Sequence, residues 1–450
     1  AGIGVTLAQD AKNGAFIVVS PYEDSPALRA GIYAGDRILR INGESTEGMS
    51  LKDLQLQLAP PPGTRIRLTV QHEGAGAPVA VSVTRQVIQI HSVQGVRHKS
   101  DGSWDFLIDP DHRIAYVRIT NFMENTPADL DKALLPLLHD PQGASLKGII
   151  LDLRFNPGGL LQAGIGVCDR FLDSGVIVST GRPDSTKRDF VAEATPEHTY
   201  PRVPLVILIN EYSASAAEIV AGALKDHQRA VLIGTRSFGK GSVQTLISMD
   251  NGNSALKLTT AYYYLPSGRN IMRKKDSRTW GVQPDPAFTI PLSSEEERQV
   301  LVNWENSEII RRAAAKGDAA PASAKGSATQ PAGGRVNAPA TTQPVEATDR
   351  QLQRALEILI AYQTFGGPRD FAADVTTTRP GVSASIPASA PGGGATSRPA
   401  PAKEPPSPAP ESAPRHPAPP DTPQVIPVPP ATRPARTPAV PSAPDADLPP

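Results

Sequence analysis

The sequence predicts a small β-rich module, then an α/β region, then a long C-terminal stretch that does not fold. Three observations predict this. Over residues 1–88 short apolar alternations are separated by turn signals, Asn42-Gly43 the clearest. Over residues 89–295 apolar runs at 148–153 and 203–209 alternate with amphipathic stretches, as in strands buried between helices. Of the 47 prolines in 450 residues, 23 lie in residues 371–450, and no Phe, Trp or Tyr follows Phe371. Such a segment buries too little apolar surface to offset its ordering entropy.

In the N-terminal module, residues 2–7 and 15–19 read as strands. Ser25-Pro26 opens a short helix, Ser as N-cap and Pro at the first helical position, and Gly31 ends it. Residues 37–41 alternate like a strand. Ser50 caps a second helix with Leu51, Leu54 and Leu58 on one face, and strands over 64–70 and 79–83 close the module. In the α/β region, 114–119 is a strand, 126–138 an amphipathic helix, and 215–225 a helix after the apolar run 203–209. Strands follow at 231–233, 242–247 and 256–264. Residues 296–315 read as helix, 316–347 as a low-complexity linker, 348–372 as a returning amphipathic helix and 373–450 as a disordered Pro/Ala-rich tail.

Lys plus Arg equals Asp plus Glu, 45 each, which argues against a strong field for nucleic acid or anionic lipid. No apolar run reaches 18 residues. The only cysteine, Cys168, excludes a disulfide framework and a Cys-based zinc site. It suits an oxidising compartment, and the cytosol nearly as well. The chain begins at Ala1 inside a strand pattern, so a signal segment is expected to lie outside it.

Three short stretches carry candidate chemistry. Ser213-Ala214-Ser215-Ala216-Ala217-Glu218 sits between a buried strand and a helix. A hydroxyl at Ser215 lies where free N–H groups meet developing negative charge. The same S-x-x-E pattern reads equally well as a capping box. Phe238-Gly239-Lys240-Gly241 holds a lysine between glycines, with Gln244 four residues on. Buried, such an amine is neutral and takes a proton from a serine; a solvated hairpin turn is the plainer alternative. A P-loop is excluded, because Gly241 stands where Ser or Thr is required. Asn156-Pro157-Gly158-Gly159 follows the apolar run ending at Leu153, as an ordinary turn or as a source of oxyanion N–H groups. The eight histidines form no H-E-x-x-H pair, and no G-x-S-x-G elbow exists, which disfavours metal hydrolysis and Ser-His-Asp catalysis.

With Gly2-Ile3-Gly4, Ser25-Pro26-Ala27, Gly35-Asp36-Arg37-Ile38, Pro266-Ser267-Gly268-Arg269 and Gly281-Val282-Gln283-Pro284-Asp285, these motifs stand in an order that spans about residues 1–290. In this the chain resembles the C-terminal processing peptidases, PDZ-containing serine proteases of the S41 family. The resemblance implies an N-terminal PDZ domain (1–88) and an S41-type α/β protease core (89–295). It implies a Ser–Lys dyad, with Ser215 as nucleophile, Lys240 as general base and Gln244 orienting the lysine. The backbone of Ala216 and of Gly158 and Gly159 would form the oxyanion hole. Gly2, Ile3, Gly4 and Val5 would bind a substrate's C-terminus by strand addition and carboxylate capture.

The implied substrates are proteins or peptides with free, apolar C-termini, cut near that end through an acyl-enzyme, with no cofactor and no metal. The implied location is the periplasm or cell envelope of a bacterium. An adaptor or regulator protein and a homo-oligomer stay open, and nucleic acid is not expected. The chain departs from the family pattern at Ala59-Pro60-Pro61-Pro62, where Arg-Gly is usual, at Ala217, and in an apparent insertion over 273–280. Two other readings compete: a non-catalytic PDZ scaffold on a protease-like core, and a retinoid- or lipid-binding relative. The intact Ser, Lys and Gln argue against both.

Overall fold

A computed structural model describes residues 1–10, 13–140, 145–182, 187–249, 254–312 and 349–365. All belong to the first of the two units into which the chain divides, residues 1–381. The expected linker over 316–347, the tail over 373–450, residues 313–315 of the expected 296–315 helix, and residues 348 and 366–372 of the expected 348–372 helix lie outside the described residues.

The N-terminal module contains β1 (Val5–Gln9), β2 (Phe16–Pro21), α1 (Pro26–Arg29), β3 (Arg37–Ile41), β4 (Glu44–Ser45), α2 (Leu51–Gln57), β5 (Arg65–Gln71) and β6 (Val79–Thr84). The sheet order is β1-β2-β3-β5-β6, with β4 on β3, so β1 forms one edge. Ser25 caps α1 by accepting from Leu28 N–H, with Pro26 behind it as expected. Ser50 and Asp53 form a reciprocal cap at the start of α2. Asn42 (φ 51°) and Gly43 (φ 96°) both lie in the left-handed region, as a two-residue turn joining β3 to β4 demands. Phe16, Val18, Ile38, Ile41, Leu54 and Ile66 fill a core of their own.

After it come β7 (Val93–Gln94), β8 (Arg97–His98), β9 (Trp104–Asp105), β10 (Leu107–Asp109), β11 (Ile114–Ile119), α3 (Thr126–Leu138) and β12 (Gly148–Asp152). Next are α4 (Leu161–Asp169), β13 (Val176–Gly181), β14 (Phe190–Glu193), β15 (Leu205–Ile209), α5 (Ala216–Asp226), β16 (Val231–Gly234), β17 (Ser242–Met249) and β18 (Ser254–Tyr264). The last two are α6 (Ser294–Ser307) and α7 (Arg350–Thr364). The central sheet runs β10-β11-β12-β15-β16; β11, β12, β15 and β16 are parallel, and β10 and β7 are antiparallel to β11.

Side chains alternate between the two faces of this sheet, and both faces are covered. Val117, Leu151 and Ile207 pack with α3, α4 and α5. Tyr116, Ile150 and Leu208 pack beneath α7, which contributes Leu352, Ala355, Leu356 and Leu359. Burial on both sides explains why these strands read as continuous apolar runs. A second sheet, β14-β13-β18-β17, carries the β17–β18 hairpin.

Strands β7 to β10, β13 and β14 were not anticipated, and two helices differ from expectation. Helix α4 has no sequence signal: no side chain caps it at Leu160, and it contains Gly164 and Gly166. Its glycine serves packing, because a Cβ at Gly164 would stand 3.3 Å from the Ala216 Cβ. The helix expected over 296–315 ends at Ser307. Beyond it the backbone binds the N-terminal module instead: Ser20 Oγ donates to Glu308 O (3.1 Å) and accepts from Ile310 N–H (3.0 Å), and Ala34 N–H donates to Ile310 O (3.0 Å).

Candidate active site

Ser215 occupies the N-cap of α5, directly beyond the carboxyl end of β15. Its backbone has φ 56° and ψ −115°, an unusual pose for a residue with a side chain. Such a pose persists only where its surroundings hold it. Here Ser215 N–H donates to Glu218 Oε2 (2.9 Å), and Ser215 O accepts from Ile219 N–H (3.0 Å).

Glu218 gathers the site. Oε2 also accepts from Lys240 N–H (2.7 Å), while Oε1 accepts from Gly239 N–H (2.6 Å) and from Ser237 Oγ (2.6 Å). The Ser215 and Lys240 amides therefore converge on a single oxygen, two hydrogen-bond lengths apart at most. Glu218 is fully buried. Burial pushes its carboxyl above the ordinary 4.5, and hydrogen bonds from Ser237, Lys240, Ser215 and Gly239 pull back against that rise. The sequence showed Glu218 only as a cap. Its grip on the 237–240 loop, 19 to 22 residues away, has no local signal.

The turn after β12 completes the wall. A Cβ at Gly158 (φ 99°) would lie 2.7 Å from Ser215 Cβ and 3.0 Å from Ala216 N. One at Gly159 (φ 144°) would lie 2.2 Å from Phe122 O. Only glycine lets this turn close against Ser215. Gly158 N–H donates to Asn156 Oδ1 (2.8 Å), and Asn156 Nδ2 donates to Ile119 O (2.7 Å). Ala214 N–H donates to Asn156 O (2.9 Å), and Ser213 Oγ to Leu153 O (2.8 Å). These bonds stitch the turn to the loop before Ser215.

Ser215, Ala216 and Gly158 are thus side by side, with the Lys240 backbone joined through Glu218. The Lys240 and Gln244 side chains are exposed, and among the described residues no hydrogen bond joins Ser215 Oγ to the Lys240 amine. The segment over 273–280 does stand beside the lysine: Arg273 N–H donates to Gly239 O (2.8 Å), and a Cβ at Gly239 would lie 2.8 Å from the Trp280 ring. Among the described residues no cluster of His, Cys, Asp and Glu suited to a metal ion occurs.

Behind the turn lies a buried ionic cluster that sequence reasoning missed. Arg154 donates from Nε to Asp152 Oδ1 (3.0 Å) and from Nη2 to Asp152 Oδ2 (2.6 Å). It also reaches both oxygens of Asp349, at 2.9 and 2.8 Å, and Gln351 Oε1 at 3.1 Å. Asp349 is the N-cap of α7. Burial acts to raise the Asp349 carboxyl, but the Arg154 charge and hydrogen bonds hold it below the ordinary 3.8. Tyr116 OH donates to Asp152 Oδ2 (2.9 Å), and burial beside that carboxylate pushes the phenol up.

The segment expected to bind a peptide lies beside edge strand β1. Gly2 N–H is donated to Gln86 O (2.8 Å), and Ile3 O accepts from Ala27 N–H (2.9 Å). Gly4 has φ 80°, and a Cβ there would meet Ser25 Cβ at 2.3 Å. Val5 starts β1, paired to Pro21.

Comparison with known proteins gives a family model for peptidase family S41 over residues 113–288 and one for a PDZ domain over residues 1–71. The carboxy-terminal-processing protease of Bartonella bacilliformis is 41% identical over 295 residues, covering 65% of this chain and 62% of that protein. The carboxyl-terminal-processing protease of Synechocystis sp. is 34% identical over 295 residues, covering 65% and 64%. A solved photosystem II D1 C-terminal processing protease is 31% identical and covers 65% of this chain and 72% of its own, with a TM-score of 0.35. The chain thus spans a little under two thirds of the length of these two curated relatives. With a PDZ domain ahead of its peptidase region, the chain belongs to peptidase family S41.

Proposed function

We propose that this chain is a serine endopeptidase that cuts protein substrates near their C-termini with Ser215 and Lys240. The observation that carries the reading is the Glu218 carboxylate, which ties the Ser215 and Lys240 backbones to one oxygen. Ser215 Oγ attacks the scissile carbonyl while the neutral Lys240 amine accepts its proton. Gln244, on β17 just past Lys240, orients that amine. The tetrahedral oxyanion forms at the N-terminus of α5, where Ala216 N–H and the Gly158–Gly159 turn supply donors. Because Gly158 N–H already serves Asn156, Gly159 and Ala216 are the stronger pair. Collapse breaks the C–N bond, Lys240 returns the proton to the leaving amine, and water then hydrolyses the acyl-enzyme. A peptide lying across the site excludes water from the exposed amine, so base catalysis is coupled to substrate binding.

The substrate C-terminus adds beside β1, whose outer edge is unpaired among the described residues. With Gly2 N–H committed, Ile3, Gly4 and Val5 are the donors for its carboxylate. Substrates are therefore proteins with free, apolar C-termini. Export to a bacterial cell envelope, with an adaptor or self-association controlling access, completes the reading. Among the described residues no helix is long and apolar enough to cross a membrane.

The test is cleavage of a peptide with an apolar free C-terminus, and of its amidated twin. Ser215→Ala and Lys240→Ala should each abolish turnover while peptide binding persists. A Lys240→Ala variant that kept most of the rate would refute the dyad. Equal turnover of both peptides would remove carboxylate capture. The exposure of Lys240 and Gln244 favours one rival, a binding scaffold without catalysis, which requires wild-type protein to bind the peptide and leave it intact.

A further inference from the structure

The turn that closes against Ser215 begins at Phe155, which is itself in a strained pose. Its φ is 58°, in the left-handed region, where a bulky side chain is disfavoured. Three contacts hold it there. Phe155 N–H donates to Asn210 Oδ1 (2.9 Å). Its ring stacks on Tyr212 at 5.1 Å, three residues before the nucleophile. The edge contact comes from far along the chain: Trp304, near the end of α6, meets Phe155 at 5.7 Å and 87°.

Trp304 is bound from other sides as well. The Arg118 guanidinium stands 4.3 Å from its ring centre and that of Arg154 5.3 Å, both within cation–π range. Arg154 is the residue preceding Phe155, so the ring touches two consecutive residues at the entry to the turn. Glu308, four residues on, pairs with Arg118 (2.6 Å), and its carbonyl is held by Ser20 of the N-terminal module. Arg312 then donates to Gly31 O (2.8 Å) and stacks over Tyr33. The end of α6 is thereby fixed between the module and β11.

We propose that Trp304 is a positioning residue of this active site: acting through Phe155 and Arg154, it holds the Asn156–Gly159 turn in the pose that closes on Ser215. This rests on the Ser215 and Lys240 reading for its kinetic part but not for its structural part. A strained pose survives only while its surroundings over-determine it. Removing the ring takes away one of the three contacts on Phe155 and a cation–π partner of Arg154. Relaxation of Phe155 would then move Gly158, which faces Ser215 and Ala216.

The test uses the full chain with Trp304→Leu and Trp304→Phe. Two readouts apply: steady-state cleavage of the apolar-tailed peptide, and amide hydrogen exchange across residues 155–160. Trp304→Leu should lower kcat about tenfold or more with KM changed by less than about twofold, because the loss lies in geometry rather than peptide capture. It should also speed exchange at 155–160 while the N-terminal module exchanges as before. Trp304→Phe keeps an aromatic ring and should recover most of both effects. Unchanged exchange at 155–160 in Trp304→Leu would overturn the proposal. So would a fall in kcat that Trp304→Phe does not relieve while both variants exchange faster throughout. If Ser215→Ala still cleaves the peptide, the dyad reading fails instead, and the exchange result alone decides the role of Trp304.

Discussion

Replacing Glu218 is the sharpest perturbation of this site, and its cost follows from which oxygen serves which donors. Oε2 accepts two backbone N–H groups, from Ser215 and Lys240, and Oε1 accepts one N–H, from Gly239, and the Ser237 hydroxyl. In Glu218→Gln one oxygen becomes an NH2 group. Placed at the Oε2 position, it would face two N–H groups and orphan both. Placed at the Oε1 position, it orphans a single backbone donor, Gly239 N–H, because the Ser237 hydroxyl, which already accepts from Val282 N–H, can turn its proton away and accept from the amide as well. A buried orphaned donor costs about 1–3 kcal/mol, so the amide takes the second orientation and the variant loses about that much. Glu218→Ala orphans all four donors. Its nominal loss is about 4–12 kcal/mol before water enters, comparable with the whole stability of a domain. Glu218→Gln should therefore fold with a lowered Tm and keep measurable peptidase activity, since Ser215 and Lys240 remain tied. Glu218→Ala should be inactive and markedly less stable. Thermal unfolding and peptide cleavage read the two quantities separately. A Glu218→Ala protein with wild-type Tm and rate would refute the claim that this carboxylate assembles the site.

Further outcomes follow from the same geometry. Arg154→Met leaves Asp152 and Asp349 buried without their cation and should cost about 3–5 kcal/mol by denaturant titration; Arg154→Lys should restore little, because one ammonium cannot span both carboxylates and Gln351. Gly159→Ala should abolish cleavage, since its Cβ would lie 2.2 Å from Phe122 O at φ 144°, and a variant with normal kcat would contradict the close approach. The pH dependence has two signs. Asp349 is held low, so its contribution is present above 3.8 and is lost as pH falls through its folded value; Glu218 is held high, so its contribution is present below 4.5 and is lost as pH rises through its folded value. Tm profiles should show the alkaline-side loss diminished in Glu218→Gln and the acid-side loss diminished in Asp349→Asn, and unchanged slopes would refute these assignments.

Much of the fold was legible because its signals are local. The predicted strand over 37–41, the strand over 114–119 and the helix over 126–138 have the observed bounds, each carried by its own local pattern of apolar residues. Helix α4 was not legible, because its glycines answer to neighbouring helices, Gly164 to Ala216 of α5 and Gly166 to Pro127 of α3, rather than to helix propensity. The end of α6 was misread for a related reason. Residues 308–312 have an ordinary helical composition, but bonds to Ser20 and Ala34, nearly 300 residues away, outcompete another helical turn.

The candidate site divides along the same line. Ser215, Lys240 and the Gly158-Gly159 turn stand out in the sequence because a nucleophile, a base and close backbone approach each demand particular residue types. What brings them together is less visible, because a buried acceptor leaves no mark on the spacing of its distant donors. Glu218 satisfies a reciprocal cap, an unremarkable pattern, while also holding a loop about 20 residues on. Arg154 resembles any charged residue at a strand end, yet it fixes the N-cap of α7 across 195 residues. Trp304 lies in a helix whose own sequence is mostly polar and exposed, and only its contacts with Arg118, Arg154 and Phe155 reveal a connection to the nucleophile. Residue types therefore indicate which chemistry is available. Whether it is poised depends on long-range hydrogen bonds and ring contacts, and Lys240 shows the difference: its backbone is tied through Glu218 to that of Ser215 while its side chain stands exposed.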